Sequence, residues 1–328
     1  MSDAERVDEV VVSAPARLHF GMLDPAGLGR RRFGGFGVAV QAPRVRVAVR
    51  RSPPSASAAV DASGPQADRA VAFAERARTE LGVAGPMQVE VLEAIPAHMG
   101  LGSGTKLGLA VARGVAELAG RPAGVQLLAR ASGRGARSSV GAWTFQGPGL
   151  VVEAGVRADG EVSPLLLRCP MPERWRCVLA LPQGREGLSG SAEERFFGAL
   201  EGPGSEEPPV ARLLLTSVLP GLMADEIEEF GAGLSAIQRR IGAIFASQQG
   251  GVFHPSAAPL VDGLTALGVG AVGQSSWGPT VYGVVDGPEL ADDVADQLRR
   301  RFVSAEVSVV DFDRDGAVCE RRGGGERP

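Results

Sequence analysis

IPAHMGLGSGTKLGLA, residues 95–110, is the stretch from which the rest of this chain is read. Gly100, Gly102 and Gly104 carry no side chains, so successive backbone N–H groups can converge there on an anion, and Ser103 and Thr105 add hydroxyl donors. From Thr105 onward, Leu107, Leu109, Val111, Val115 and Leu118, with Ala110, Ala112, Ala116 and Ala119 between them, predict a buried helix that stops near Gly120-Arg121-Pro122. The unpaired amides and positive dipole end of that helix face the loop, which makes the junction a site for phosphate or pyrophosphate. Lys106, the only lysine among 34 basic residues, sits at this junction. A tight helix entry is the structural alternative. The spacing matches neither common phosphate-binding pattern. Leu107 stands where G-x-x-x-x-G-K-[ST] needs a hydroxyl, and it also takes the third glycine position of G-x-G-x-x-G.

Working outward, strands are predicted at 10–12, 38–40, 45–49 and 87–92, with a helix at 68–81 and a Ser/Pro/Ala-rich surface loop at 51–64. A helix at 125–131 precedes SGRGARSSVGAWTF (residues 132–145), and strands follow near 150–153 and 178–181. An exposed connection at 200–209 leads to helices at 210–223 and 226–246, a strand–glycine turn–strand unit at 270–285, a helix at 288–302 and a strand at 307–312. Helices and strands mix without regular βαβ alternation. That predicts an α+β fold of two domains, 1–168 and 169–320, with 321–328 as a disordered tail.

With 44% hydrophobic residues, the 328-residue chain has ample material for a core. No segment approaches the roughly 20 apolar residues of a membrane span. The acidic start MSDAERVDEV does not read as a signal peptide, so a cytoplasmic protein without membrane partners is expected. Cys169, Cys177 and Cys319 lack metal-ligand spacing and read as reduced thiols. A net charge of -4 gives no general attraction to nucleic acid, so anion binding must be local, through clusters such as Arg30-Arg31-Arg32 and Arg134/Arg137.

APARLHFG (14–21), PAHMGLGSGTKLGLA (96–110) and GQSSWGPTVYG (273–283) resemble, in order and spacing, the three motifs of the galactokinase, homoserine kinase, mevalonate kinase and phosphomevalonate kinase (GHMP) superfamily. LDPAGLGRRRFGGFGVAV (23–40), EGLSGSAEERFF (186–197) and GQSSWGPT are similar to one branch, the β-ribofuranosylaminobenzene 5'-phosphate synthases, which includes C-nucleoside synthases of the formycin and pyrazofurin type. The resemblance implies a two-domain GHMP-kinase-like fold and a decarboxylative C-glycosylation. An aromatic carboxylic acid and phosphoribosyl pyrophosphate would give a β-C-riboside 5'-phosphate, carbon dioxide and pyrophosphate, with no ATP consumed. The acceptor stays open between 4-aminobenzoate, for a methanopterin-type coenzyme, and an aminopyrazole dicarboxylate, for a C-nucleoside antibiotic. The arginine-for-lysine bias, read as a GC-rich bacterial genome, favours the pyrazole. The alternative is an ATP-dependent small-molecule kinase of the parent superfamily. Against it, residues 132–149 contain no acid where many superfamily kinases carry a catalytic aspartate. A noncatalytic binding protein on the same fold is a third reading.

The resemblance implies that Gly100, Gly102, Ser103, Gly104, Thr105 and Lys106 hold the pyrophosphate, with Ser275, Ser276, Gly278 and Thr280 closing from the third motif. It implies Mg2+ on the pyrophosphate, with Asp24 as candidate ligand against the reading of an Asp24-Pro25 turn. Arg17, Arg30, Arg31, Arg134 and Arg137 are candidates for the 5'-phosphate or the acceptor carboxylate, because a guanidinium binds either in a bidentate manner. GARSSVG (135–141) also resembles the serine–arginine segment of the diphosphomevalonate decarboxylases, which favours Arg137 and Ser138. His19 is the better functional candidate among the histidines, His98 and His254 reading as structural. Trp277 stacks on the acceptor or plugs the domain interface, and Glu194 orients the acceptor or caps a helix. Catalytic roles therefore fall to Asp24, His19, Lys106 and Arg137, and acceptor contacts to Arg134, Trp277 and Glu194. A homodimer, common among the relatives, fits this reading.

Overall fold

The computed structural model describes residues 7–25, 30–53, 55–56, 58–157, 161–183 and 210–323. Two long strands, β1 (Val7–Asp24) and β2 (Phe33–Arg51), pair antiparallel and organise the first half. In β1 every second residue, Val10, Val12, Ala14, Ala16, Leu18 and Phe20, is wholly buried, the period expected of a strand with one face on a core. In β2 the buried set changes parity, from Phe36, Val38 and Val40 to Val45, Val47 and Val49. The ladder explains the switch. Pro15 faces Arg44 while Ala16 faces Val40, so the extra β2 residues bulge out and return the apolar side chains to the same face.

Next come β3 (Val60–Ser63), α1 (Ala67–Leu81), β4 (Met87–Glu93), α2 (Ser103–Leu118), α3 (Val125–Ala131), α4 (Val140–Gln146), β5 (Leu150–Glu153) and β6 (Leu165–Cys169). The second half holds β7 (Trp175–Pro182), α5 (Val210–Leu213), a π-helical turn (Leu214–Val218), α6 (Leu219–Ala224), α7 (Ile227–Gln249), α8 (Ala258–Ala266), β8 (Ala271–Gln274), β9 (Val281–Asp286), α9 (Pro288–Arg301), β10 (Ala305–Asp311) and β11 (Val318–Gly323). The first sheet runs β11-β1-β2-β4-β3, with β5 also on β2 and β6 on β5; the second runs β10-β7-β9-β8. In β7, Cys177 and Leu179 join the large core with Phe230, Leu234 and Ile237 of α7, while Val178 and Ala180 face the other way onto α8 and α9. The large core thus extends from the first sheet into the second, and the helix-and-strand mixture is the expected α+β fold.

Two expectations need correction, and one segment without an assigned element gains a helix. The loop expected at 51–64 contains β3, which pairs parallel with β4. The segment 132–145 closes into α4, whose short apolar run VGAWTF is wholly buried. The last strand, β11, returns to the first sheet beside β1, so the first three residues of the expected tail, 321–323, are strand. The connection expected at 200–209 and the segment 186–197 lie outside the described residues.

Candidate functional site

The glycine loop is built from backbone outward. Gly100 and Gly102 have φ of 80° and 75°, left-handed values that carry little strain only without a Cβ. Gly100 and Gly278 lie backbone to backbone. A Cβ on Gly100 would collide with the carbonyl oxygen of Ser275, and one on Gly278 with the amide nitrogen of Gly100. This contact joins the second and third motifs, and hydrogen bonds fix it. The Ser275 hydroxyl donates to the Gly100 carbonyl at 2.7 Å, and Thr280 N–H donates to the Met99 carbonyl at 3.4 Å. The first motif is tied in as well. Arg17 donates from its guanidinium to the Gly100 carbonyl at 2.6 Å, His19 N–H donates to Ser275 Oγ at 3.0 Å, and Ser276 N–H donates to the His19 carbonyl at 3.3 Å.

Gly102 caps α2, so the first-turn amides of Ser103, Gly104 and Thr105 have no intrahelical acceptor. They line a cleft of about 390 Å³ together with Arg17, Arg69, His98, Gly100, Gly102, Arg134, Arg137, Ser276, Trp277 and Gly278. Four guanidinium groups and no carboxylate occur among these described lining residues. Arg69, from the first turn of α1, and Arg134, after α3, both press against Gly104, where a Cβ would displace them. Arg69 donates to Gln66 Oε1 at 2.5 Å, and the Arg134 guanidinium lies 5.0 Å from the centre of the Phe73 ring. Burial, followed by the neighbouring Arg69, Arg137 and Arg76 charges, holds the Arg134 pKa below its ordinary value. Positive charge is therefore concentrated at a helix N-terminus that already favours an anion.

Ser276 and Trp277 also border a narrow crevice of about 30 Å³, lined by Phe20, Met22, Ile241, Phe245, Val252 and Phe253, with His19 and the carboxamides of Gln238, Gln249 and Gln274 at its edge. Trp277 and Phe245 pack with ring centres 4.3 Å apart. No charged side chain lines this crevice among the described residues.

Beneath the cleft lies a second buried polar set. Ser138 donates its hydroxyl hydrogen to Glu153 Oε1 at 2.8 Å, so the 3.2 Å contact with His19 Nε2 has the imidazole as donor. Glu153 also accepts the Ser139 N–H at 2.7 Å, and burial raises its pKa. Burial and then the nearby Arg17 charge lower the His19 pKa to about 3, which keeps the ring neutral at ordinary pH.

The structure brings together Arg17, Gly100, Gly102, Ser103, Gly104, Thr105, Arg134, Arg137, Ser276, Trp277 and Gly278. It does not bring Lys106 to them. Lys106 is wholly buried, and its Nζ donates at 3.0 Å to Thr144 Oγ1, whose own hydrogen goes to the Val140 carbonyl. Desolvation there drives the amine pKa well below the usual lysine value, so the expected pyrophosphate contact is replaced by a link between α2 and α4. Ser275 and Thr280 are likewise buried, Ser275 as the clamp described above. Ser138 props His19 rather than lining the cleft. Arg30 is exposed and Arg31 donates to the Gly155 carbonyl at 3.0 Å; neither reaches the cleft. Asp24 ends β1 opposite Phe33 and is not among the described lining residues of the cleft. Glu194 lies outside the described residues.

Two residues escaped the sequence reading. Arg69 had a signal, since a cation in the first turn of a helix opposes the helix dipole and needs another reason to be there. Glu153 had one too, as an acid closing the apolar strand Leu150–Glu153.

Residues 68–144 match the GHMP kinases N terminal domain and residues 218–304 the GHMP kinases C terminal family. The β-ribofuranosylphenol 5'-phosphate synthase of Methanothermobacter thermautotrophicus is 28% identical over 85% of this chain and 90% of its own length. The enzyme of the same name from Archaeoglobus fulgidus is 29% identical over 83% of this chain and 86% of its own length. Among solved structures, a homoserine kinase from Cytophaga hutchinsonii superposes with a TM-score of 0.69 at 15% identity, covering 98% of this chain and all of the kinase, a likeness of fold alone. The order of the two domain matches, the full-length synthase relatives and the three interlocked motifs agree, and the chain belongs to the β-ribofuranosylaminobenzene 5'-phosphate synthase family of the GHMP kinase superfamily.

Proposed function

We propose that the chain is a phosphoribosyl pyrophosphate-dependent, decarboxylating C-ribosyltransferase acting on an aromatic carboxylic acid. The observation that carries this reading is the convergence of four arginines and a helix N-terminus on one cleft that shares Ser276 and Trp277 with an uncharged aromatic crevice. A diphosphate donor suits the cationic cleft, and an aromatic acceptor would sit beside Trp277 at its border. The name shared by the synthase relatives, a β-ribofuranosylphenol 5'-phosphate, describes the kind of product such a pair would yield.

In this reading the C1–O bond of the donor breaks and its electron pair leaves with pyrophosphate. The developing charge is met by the first-turn amides of α2 and by Arg17, Arg69, Arg134 and Arg137. The ring carbon bearing the carboxylate bonds to C1 from the opposite face, giving the β configuration. The bond to the carboxylate then breaks, its electrons restore the ring, and carbon dioxide departs. No proton has to be removed, which agrees with a site whose one histidine near the crevice is propped and neutral. Trp277 would supply an aromatic surface where ring and donor meet.

The test is a mass-spectrometric assay with phosphoribosyl pyrophosphate and, in separate tubes, 4-aminobenzoate, 4-hydroxybenzoate and 4-aminopyrazole-3,5-dicarboxylate, following carbon dioxide and pyrophosphate. A C-riboside 5'-phosphate from any one establishes the reaction and names the acceptor. No product from any, together with ATP-dependent phosphorylation of a small molecule, would replace this reading by the kinase alternative.

A further inference from the structure

The family resemblance implies a magnesium ion on the diphosphate, yet the donor set of the described cleft lining does not fit a divalent ion held by those residues. Magnesium takes oxygen ligands and is usually fixed by one or two carboxylates. The described lining offers the hydroxyls of Ser103, Thr105 and Ser276 and the His98 ring, but no carboxylate. Among the described residues no group of three or more His, Cys, Asp or Glu side chains is placed to hold a metal ion. Glu153, buried beneath the cleft, is occupied by Ser138 and the Ser139 amide.

What the described lining contains instead is a close pair of cations, Arg69 and Arg134. Arg69 and Arg134 lie side by side against Gly104, at the positive end of the α2 dipole, and Arg17 and Arg137 stand around the same space. Like charges so placed repel, and the burial of Arg134 aggravates the repulsion. Gly104 and Phe73 hold the pair in position: the glycine leaves room for both guanidinium groups, and the Phe73 ring supports Arg134 from below. A planar guanidinium can bridge two phosphate oxygens, as a hydrated metal ion bridges them in other sites. We infer that Arg69 and Arg134 fill the charge-balancing place of a protein-held divalent cation, so that the diphosphate is bound and released on guanidinium groups and backbone amides. The inference rests on the diphosphate reading of the cleft given above, and it assigns Arg69 a role in binding the leaving group.

Inorganic pyrophosphate separates the two claims, because it probes the cleft without requiring any acceptor or turnover. The full chain is titrated calorimetrically with pyrophosphate, once in EDTA and once in millimolar Mg2+. Binding is expected in EDTA, with Mg2+ changing the affinity by less than about threefold. Arg69→Gln and Arg134→Gln are each expected to weaken metal-free binding by about tenfold or more, with unchanged thermal midpoints. Arg134→Lys, which keeps the charge and loses the planar fork, is expected to fall between wild type and Arg134→Gln. Tightening by Mg2+ of about tenfold or more, or wild-type affinity in both glutamine variants, would overturn the inference while leaving the diphosphate cleft in place. Absence of pyrophosphate binding in either buffer would remove the cleft reading and the inference together.

Discussion

The two sides of the first turn of α2 hold basic side chains in opposite states. On the outer side, Arg69 and Arg134 flank Gly104 in an open cleft with no counter-carboxylate in its described lining. On the inner side, Lys106 is sealed in the core against Thr144 and Phe145, with its amine pushed toward the neutral form. Charge is maintained where a ligand can meet it and suppressed where none can reach. His19, whose ring borders the crevice, and Glu153 beneath the cleft are also moved toward their neutral forms by burial. Proximity to a glycine loop therefore does not make a basic residue part of an anion site; the side of the helix decides.

The Gly100–Gly278 contact that joins the second and third motifs is the most sensitive point of the site. Gly100→Ala would put a Cβ at a φ of 80° and against the Ser275 carbonyl, parting the second motif from the third. A stability loss of about 3 kcal/mol is expected in denaturant titrations, together with loss of phosphoribosyl pyrophosphate binding by about 100-fold or more. Arg134→Ala leaves that contact intact and removes outer charge, so calorimetry is expected to show about a 30-fold weaker donor affinity with a normal melting curve.

The buried groups are tested by pH. His19 has a folded-state pKa of about 3 against an ordinary 6.5, so unfolding takes up a proton between those values. Its contribution is complete above pH 6.5 and is lost as pH falls toward 3, and His19→Gln is expected to flatten that acid limb of the stability profile. The smallest effect belongs to Lys106→Met. An apolar chain of similar length suits the site, so stability is expected to stay level or rise by about 1 kcal/mol. The wild-type gain in stability as pH rises toward 10.5, which comes from an amine whose pKa burial holds lower in the folded than in the unfolded chain, should disappear in the variant.

Much of this architecture was legible in the sequence because the signals were local. The glycine loop, the helix after it and the polar third motif each sit within about a dozen residues, and their loop and helix patterns do not depend on distant contacts. Arg69 and Glu153 were missed because each meets the site only through tertiary packing, one from α1 and the other from β5. Lys106 was misassigned for a different reason. Its neighbours Leu107, Leu109, Ala110, Val111 and Ala112 leave α2 no wet face, so a side chain at 106 had to enter the core. The return of β11 to β1 was illegible because ERRG in Val318–Gly323 is an exposed, charged edge strand with no apolar alternation to announce it.

The most direct measurement sets the two sides of α2 against each other: the calorimetric affinity of phosphoribosyl pyrophosphate for wild type, Lys106→Met and Arg134→Ala in one buffer. The account requires Lys106→Met to bind within about twofold of wild type and Arg134→Ala to lose most of its affinity. Loss in Lys106→Met with Arg134→Ala unaffected would place the anion on the inner side of the helix and contradict the account.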